Sequence, residues 1–404
     1  SHGMAASKNL EAAMGIAPTD NGRILRNLVL GANFVQSHIL HFYHLAALDY
    51  IDTSAFLPMS PWLPRYVTPD MDAGSLASGL VAHYVEALGV RRTAHQMGAI
   101  FGGKLPCSPT LVPGGCSETA TDAKIEAFGR LLGEVRTFID GTLLPDVEAL
   151  GAAFPEYRSI GRGCGNLLAY GVFDLDGAGS LKLQPRGRFT NGEAGSLDLA
   201  AIREYVRHSK YRSSSGRKHP SVGSTSPITR KSGAYSWIKA PRYGDVVHEV
   251  GPLARMWVSG DYREGISVVD RLTARALEAK KIADAMVGWL EALRPGEPGQ
   301  ERFRVPETAT SVGLTEAPRG ALGHWMTVSK SRIAKYQVVA PTGWNASPKD
   351  DFGHNGPIEQ ALIGLDVADM QTPIEVMRVV HSFDPCLACS VHVARPGKKP
   401  QRVL

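Results

Sequence analysis

Five cysteines in 404 residues are too few for a disulfide framework, and their scarcity points to a reducing compartment or to metal ligation. No apolar run reaches the roughly 18 residues that a membrane-spanning helix needs. The opening residues do not read as a charged-then-apolar signal peptide. Neither sign of charge dominates: 44 basic residues against 39 acidic ones give +5, which leaves no nucleic-acid footprint. The basic residues are dispersed apart from the tail at Lys398-Lys399 and a stretch from Lys210 to Lys218, which reads as a solvated loop. There is no internal repeat and no βαβ rhythm, so a doubly wound sheet is not expected.

What the chain does have is enough apolar material for a large core. At 43% hydrophobic and 21% charged it reads as one large domain or two merged ones. Residues 22–52 predict a long helix with an irregular exit, because Leu25, Leu28, Phe34, Ile39 and Phe42 recur at helical spacing. His38, His41 and His44 lie on this helix three residues apart, a spacing that suits a metal but more readily describes histidines packed in a core. Prolines 58, 61, 64 and 69 mark a loop, followed by helices over 73–88 and 94–101. Ile125, Phe128, Leu132, Val135 and Ile139 predict an amphipathic helix within 121–154, interrupted near Gly141 and Pro145. Short antiparallel strands follow over 161–192, and Gly161-x-Gly163-x-Gly165 there lacks the helix and downstream acid of a nucleotide loop. A loop spans 209–232, and the longest helix is expected over 263–293, ended by Pro295. Strands over 303–339 and short helices over 357–365 and 373–381 complete an α+β fold, predominantly α. It is a long-helix bundle with a smaller, antiparallel strand-rich part.

The most specific stretch is Asp384-Pro385-Cys386-Leu387-Ala388-Cys389-Ser390-Val391-His392, which gathers a carboxylate, two soft sulfurs and an imidazole within nine residues. A Cys-x-x-Cys turn faces both sulfurs to one metal, with His392 in reach of the same ion or a neighbouring one. As a zinc knuckle it needs a fourth ligand, and Cys107, Cys116 and Cys164 offer no second Cys-x-x-Cys. Cys107 and Cys116 read as unpaired small core residues. As a thioredoxin-like redox pair the motif would have to open a helix near the start of a domain, whereas it lies near the chain's end. Spacing alone leaves these readings open.

Other stretches accompany it: Ala94-His95-Gln96-Met97-Gly98-Ala99-Ile100-Phe101-Gly102-Gly103-Lys104, Trp237-Ile238-Lys239-Ala240-Pro241-Arg242-Tyr243, Glu249-Val250-Gly251-Pro252-Leu253-Ala254-Arg255, Glu316-Ala317-Pro318-Arg319-Gly320 and Ala340-Pro341-Thr342-Gly343-Trp344-Asn345. Together, and in order along the whole chain, they resemble the large (catalytic) subunit of nickel-iron hydrogenases, and the resemblance implies that fold. It also implies reversible heterolytic cleavage of H2, of the uptake type, with electrons passed to an iron-sulfur small subunit.

Carried over by resemblance, Cys386 is a terminal nickel ligand and proton acceptor, and Cys389 bridges nickel to an iron bearing carbon monoxide and cyanide. Arg319 supplies fixed positive charge and donors to one cyanide; Pro341 and Thr342 cradle the other. Asp384 orients Arg319 and shares in proton handling. His392 and the carbonyl of Val338 hold a structural Mg2+. Residues 1–392 form the single large-subunit domain, and residues 393–404 are an extension that a maturation endopeptidase removes after nickel-insertion proteins have acted. That extension argues against the hydrogen-sensing members. Ser37 stands where some oxygen-tolerant relatives carry Asp, and Cys107 where members often carry His, so neither property is carried over. Ser1-His2-Gly3 resembles the segment just after a Cys-Gly-x-Cys motif, which implies an N-terminally incomplete chain, inactive alone. The expected setting is cytoplasmic, or membrane-associated through partner subunits. A different class of reading is a non-catalytic hydrogen sensor, or a degenerate or split subunit with a structural role.

Overall fold

The computed structural model describes residues 1–59 and 67–386. Helix α1 (His2–Met14) stops at Gly15, whose φ of 66° is a left-handed conformation open to glycine. α2 (Asp20–His41) begins where the Thr19 hydroxyl accepts from the Gly22 N–H. Gly22 is required by close approach, since a Cβ there would lie 2.1 Å from the Gly299 carbonyl oxygen. Leu25, Leu28, Phe34, Val35 and Ile39 are fully buried, so this helix is a core element on more than one side. It leaves through a π-helical turn (Phe42–Ala46) and a 3-10 turn (Ala47–Asp49), the irregular exit expected.

α3 (Ser75–Gly102) is one helix of 28 residues where the sequence predicts two. Gly89 lies inside it facing open space, and the helix runs through because one interior glycine costs only about 1 kcal/mol. After the small hairpin β1 (Leu111–Val112) and β2 (Gly115–Cys116), α4 (Asp122–Phe138) starts on a Thr121 cap. It passes through a π turn (Ile139–Leu143) into α5 (Leu144–Ala153), the interruption anticipated at Gly141 and Pro145.

A run of short strands follows: β3 (Leu167–Ala169), β4 (Val172–Asp174), β5 (Lys182–Gln184), β6 (Gly187–Thr190), β7 (Glu193–Gly195), β8 (Ile202–Tyr205) and β9 (Ala240–Tyr243). They pair antiparallel as β3-β6-β7, β4-β5 and β8-β9. α6 (Pro252–Ser259) then leads to α7 (Val268–Ala292), capped by Ser267. α7 has 25 residues and is therefore not the longest helix, contrary to expectation. Strands β10 (Thr308–Ala317), β11 (Gly320–Ser329) and β12 (Arg332–Val339) form an antiparallel meander. Three short helices close the described chain: α8 (Pro341–Asn345), α9 (Pro357–Ala361) and α10 (Ile374–Ser382).

α2, α3, α4 and α7 pack in pairs into a bundle around the largest core, which holds Leu28, Phe34, Phe101, Phe128, Ile282 and Met286. Each fully buried side chain of that kind contributes about 1.5–3 kcal/mol. A second core of Leu168, Tyr170, Val250, Leu314, Trp325 and Trp344 lies under the meander. α1 lies on β10, where a Cβ on Gly313 would come within 2.1 Å of the Ala5 carbonyl oxygen. The predominantly α, α+β reading thus describes the architecture. Cys116 is buried as expected, but Cys107 is exposed and is not a core residue.

Candidate metal centre

Arg319 sits at the tip of the β10–β11 hairpin, where Ala317 pairs directly with Gly320. The turn is pressed into place by Gly320 at φ 134°, since a Cβ there would fall 2.5 Å from Val250 Cγ2 and 2.8 Å from the Gly251 nitrogen. Arg255 on α6 holds the same turn from within. Its Nη1 donates to the Ala317 carbonyl at 3.0 Å and its Nη2 to the Pro318 carbonyl at 2.9 Å. The tip is therefore a rigid mount for one guanidinium.

Asp384 approaches from α10. That helix ends at Ser382 with Phe383 as its cap, and Asp384 takes a φ of 54°, a left-handed value that a short polar side chain tolerates better than most. The reversal carries Pro385 and Cys386 away from α10 to α8, where the Cys386 N–H donates to Thr342 Oγ1 at 3.1 Å. Arg319 Nη2 lies 2.9 Å from Asp384 Oδ1, with the carboxylate wholly buried and the guanidinium about a third exposed. This is an ion pair by distance without an aligned hydrogen bond: among the described residues neither Asp384 oxygen nor Arg319 Nε has a hydrogen-bond partner. A buried carboxylate in that condition is energetically costly.

Four groups face Asp384. Burial opposes its ionisation, but His41, Arg319, Arg275 and His38 more than offset that and hold its pKa below the usual carboxylate range. Burial also pulls His41 down to about 3, so near neutral pH that imidazole is uncharged and the arginines carry the effect. His41 Nε2 donates to the His381 carbonyl at 2.6 Å, leaving the Nδ1 lone pair without a partner among the described residues. His38 Nε2 donates to Glu278 Oε2 at 2.9 Å. His38 and His41 are thus core groups, as their sequence context suggested, whereas His44 is half-buried in the π-helical turn beyond α2 and meets the Tyr84 carbonyl at 3.2 Å.

Behind this lies a fully buried ionic cluster. Arg255 donates to both Glu278 oxygens at 2.6 Å and to Glu316 Oε2 at 2.8 Å. One guanidinium serves two carboxylates, and they diverge. Burial works against Glu278, but Arg255 and His38 outweigh it and hold its carboxyl at about 2. Glu316 is pushed up to about 7 by burial, which Arg255 only partly offsets.

The structure thus brings together Arg319, Asp384, Cys386 and Thr342, with Pro341 beginning the helix that carries Thr342. Cys389 and His392 lie outside the described residues. Val338 stands on β12 opposite His324, at the edge of a cavity of about 270 Å³ that also contains Glu204, Lys239 and Gln337. Glu204 there is already taken, by Lys239 Nζ at 3.4 Å and Gln337 Nε2 at 2.7 Å.

Sequence reasoning did not single out Arg255, Glu278 or Arg275 as parts of the site. A signal was present: Arg271, Arg275 and Glu278 recur at four and three residues on α7, in step with its buried apolar stripe. Charges at core positions of a long helix mark a buried network rather than a solvated face.

Comparison with known proteins agrees with this geometry. Residues 1–65 and 60–392 match the family described as nickel-dependent hydrogenase. The periplasmic [NiFeSe] hydrogenase large subunit of Desulfomicrobium baculatum is 39% identical over 94% of this chain and 80% of its own length. An uptake hydrogenase large subunit of Bradyrhizobium diazoefficiens is 31% identical over 98% of this chain and 85% of its own length. The structure of the Ni-Fe-Se hydrogenase from D. vulgaris Hildenborough in the reduced state superposes with a TM-score of 0.92 at 37% identity, covering 96% of this chain and 85% of that one.

Proposed function

Because this chain belongs to the nickel-dependent hydrogenase family, as a large subunit, we propose that it oxidises H2 for uptake at a nickel-iron centre held by Cys386 and Cys389, passing the electrons to an iron-sulfur small subunit. The buried, donor-poor carboxylate of Asp384, 2.9 Å from Arg319 and two residues from Cys386, is the observation that carries the reading. The residues present fit such a group: among the described residues a cysteine sulfur, a guanidinium with an unused Nε, and unpartnered buried polar atoms converge on one place. The centre, with carbon monoxide and cyanide on its iron, would supply the electron-rich metal at which H2 is split into a proton and a hydride equivalent.

The chain's own groups do the rest. Cys386 Sγ, as a thiolate, would be a base for the proton, because a sulfur that keeps a lone pair free can accept one. Arg319 provides permanent positive charge beside a thiolate-rich site and planar donors suited to a small anion such as cyanide. Asp384 fixes the guanidinium's orientation and gives a departing proton a nearby acceptor. Thr342 accepts from the Cys386 N–H, so its own hydroxyl hydrogen remains free to donate to the second cyanide, with Pro341 as apolar wall.

The carbonyl of Val338 and the imidazole of His392, which lies outside the described residues, would hold a structural Mg2+. Glu204 is committed to Lys239, so further oxygens would come from water. Residues 1–392 act as one domain and 393–404 as an extension removed by an endopeptidase after nickel insertion; the family match ending at residue 392 supports that division. No helix among the described residues is long and apolar enough to cross a membrane.

The test is Arg319→Lys in the holoenzyme. A turnover fall of about 100- to 1000-fold is expected, typical of losing one preorganised donor at a reacting centre, with nickel content unchanged. Wild-type turnover at full nickel would overturn the assignment.

A further inference from the structure

Six arginines are buried among the described residues, and five have a carboxylate at ion-pairing distance: Arg26 has Glu11, Arg242 has Asp350, Arg255 has Glu278 and Glu316, Arg271 has Glu249 and Arg378 has Asp70. The sixth, Arg275, has none. It is 2% exposed, its Nε has no hydrogen-bond partner, and its one recorded bond runs from Nη1 to the Ser382 carbonyl at 3.2 Å. A guanidinium cannot shed its charge by deprotonating near neutral pH, so burying one without an anion is a cost that the rest of the fold avoids five times over.

The place of Arg275 explains the exception. Ser382 is the last residue of α10, two before Asp384, so the bond fixes the carbonyl from which the chain turns into its left-handed step. One helical turn earlier, Arg271 lays its guanidinium 3.7 Å from the Phe383 ring centroid and donates to the Gly161 carbonyl at 2.7 Å. Three residues later Glu278 holds Arg255, which holds the Arg319 turn. A single face of α7 therefore grips both halves of the Arg319–Asp384 pair, with Arg275 in the middle.

We infer that Arg275 is a positioning residue of the hydrogen-splitting site, tying down the Ser382 carbonyl and giving the fixed charge that keeps the Asp384 carboxylate in line with Arg319. This rests on the reading of Arg319, Asp384 and Cys386 given above. The counter-charge absent from its own surroundings is then shared: Asp384 supplies part, and the anionic ligand set of a bound centre the remainder.

The experiment compares Arg275→Met, Arg275→Lys and Arg319→Lys in the holoenzyme, reading nickel per chain, kcat and KM for H2, and the cyanide infrared bands. Arg275→Met is expected to keep its nickel, lose about 10- to 100-fold in kcat with KM little changed, as for removed supporting partners at metal sites, and shift the cyanide bands. Arg275→Lys is expected to recover most of the turnover. A nickel-replete Arg275→Met with wild-type kcat and unmoved bands overturns the inference. If Arg275→Met fails to take up nickel, Arg275→Lys decides. Turnover within a few-fold of wild type supports the role, and a nickel-replete but more than tenfold slower enzyme overturns it. A slow Arg319→Lys beside a normal Arg275→Met rejects this inference alone, whereas a normal Arg319→Lys rejects the site reading beneath it.

Discussion

His248 shows how a single side chain ties this fold to pH. Its Nδ1 faces the Val246 carbonyl at 3.1 Å, which can only accept, so the proton sits there and Nε2 accepts from the Thr190 hydroxyl at 2.8 Å. The neutral ring is fully used and buried, and burial lowers its pKa to about 4. His44 is lowered to about 4 as well, again by burial first. The unfolded chain therefore takes up these protons before the folded one does. Stability is intact above about pH 6.5 and is lost as pH falls through about 4. Calorimetry across that window should show Tm dropping, and His248→Gln should flatten part of the slope; an unaltered slope would remove His248 from the account. The same scale shows what could be read in advance. Arg319, Thr342, Asp384 and Cys386 were legible because each falls in a short stretch resembling a known family, and the structure brings them together. Arg275 was not, because nothing in a sequence says which of many arginines will be buried without a partner.

Among elements, α7 carries most of the argument, and its partner α6 the most exposed prediction. Arg255 on α6 neutralises Glu278 and Glu316 and pins the turn below Arg319. Arg255→Met keeps the length but leaves two buried carboxylates facing each other. Breaking such a cluster by removing one partner costs about 3–5 kcal/mol, to be read as a lowered denaturant midpoint. A variant as stable as the parent would mean the cluster contributes nothing net. Elements with clean periodicity, such as α2, α4 and the β10–β12 meander, were legible. α1 and α6 were not, because their inward faces carry polar residues. Asn9 Nδ2 donates to the His324 carbonyl at 3.0 Å, Glu11 pairs with Arg26, and Arg255 lies at the centre of α6. A search for apolar stripes passes over a helix whose buried contacts are ionic. α3 runs unbroken where the sequence predicts two helices, through Gly89, which faces open space.

For the whole molecule, the helical core and the smaller core beneath the meander meet along α6 and α7, and the candidate centre lies where they meet. Arg319 comes from the sheet side, Asp384 and Cys386 from the helix side, and buried charges on α6 and α7 join the two. That placement makes the candidate site rigid: its groups come from two layers, and neither layer can shift without breaking buried ion pairs. The central claim is that this junction holds nickel through Cys386. Nickel per chain in the holoenzyme purified from its natural source, set beside a Cys386→Ser variant made in the same background, tests it directly. The account predicts about one nickel per chain in the parent and almost none in the variant. A variant that keeps its nickel, or a catalytically active parent without nickel, would contradict it.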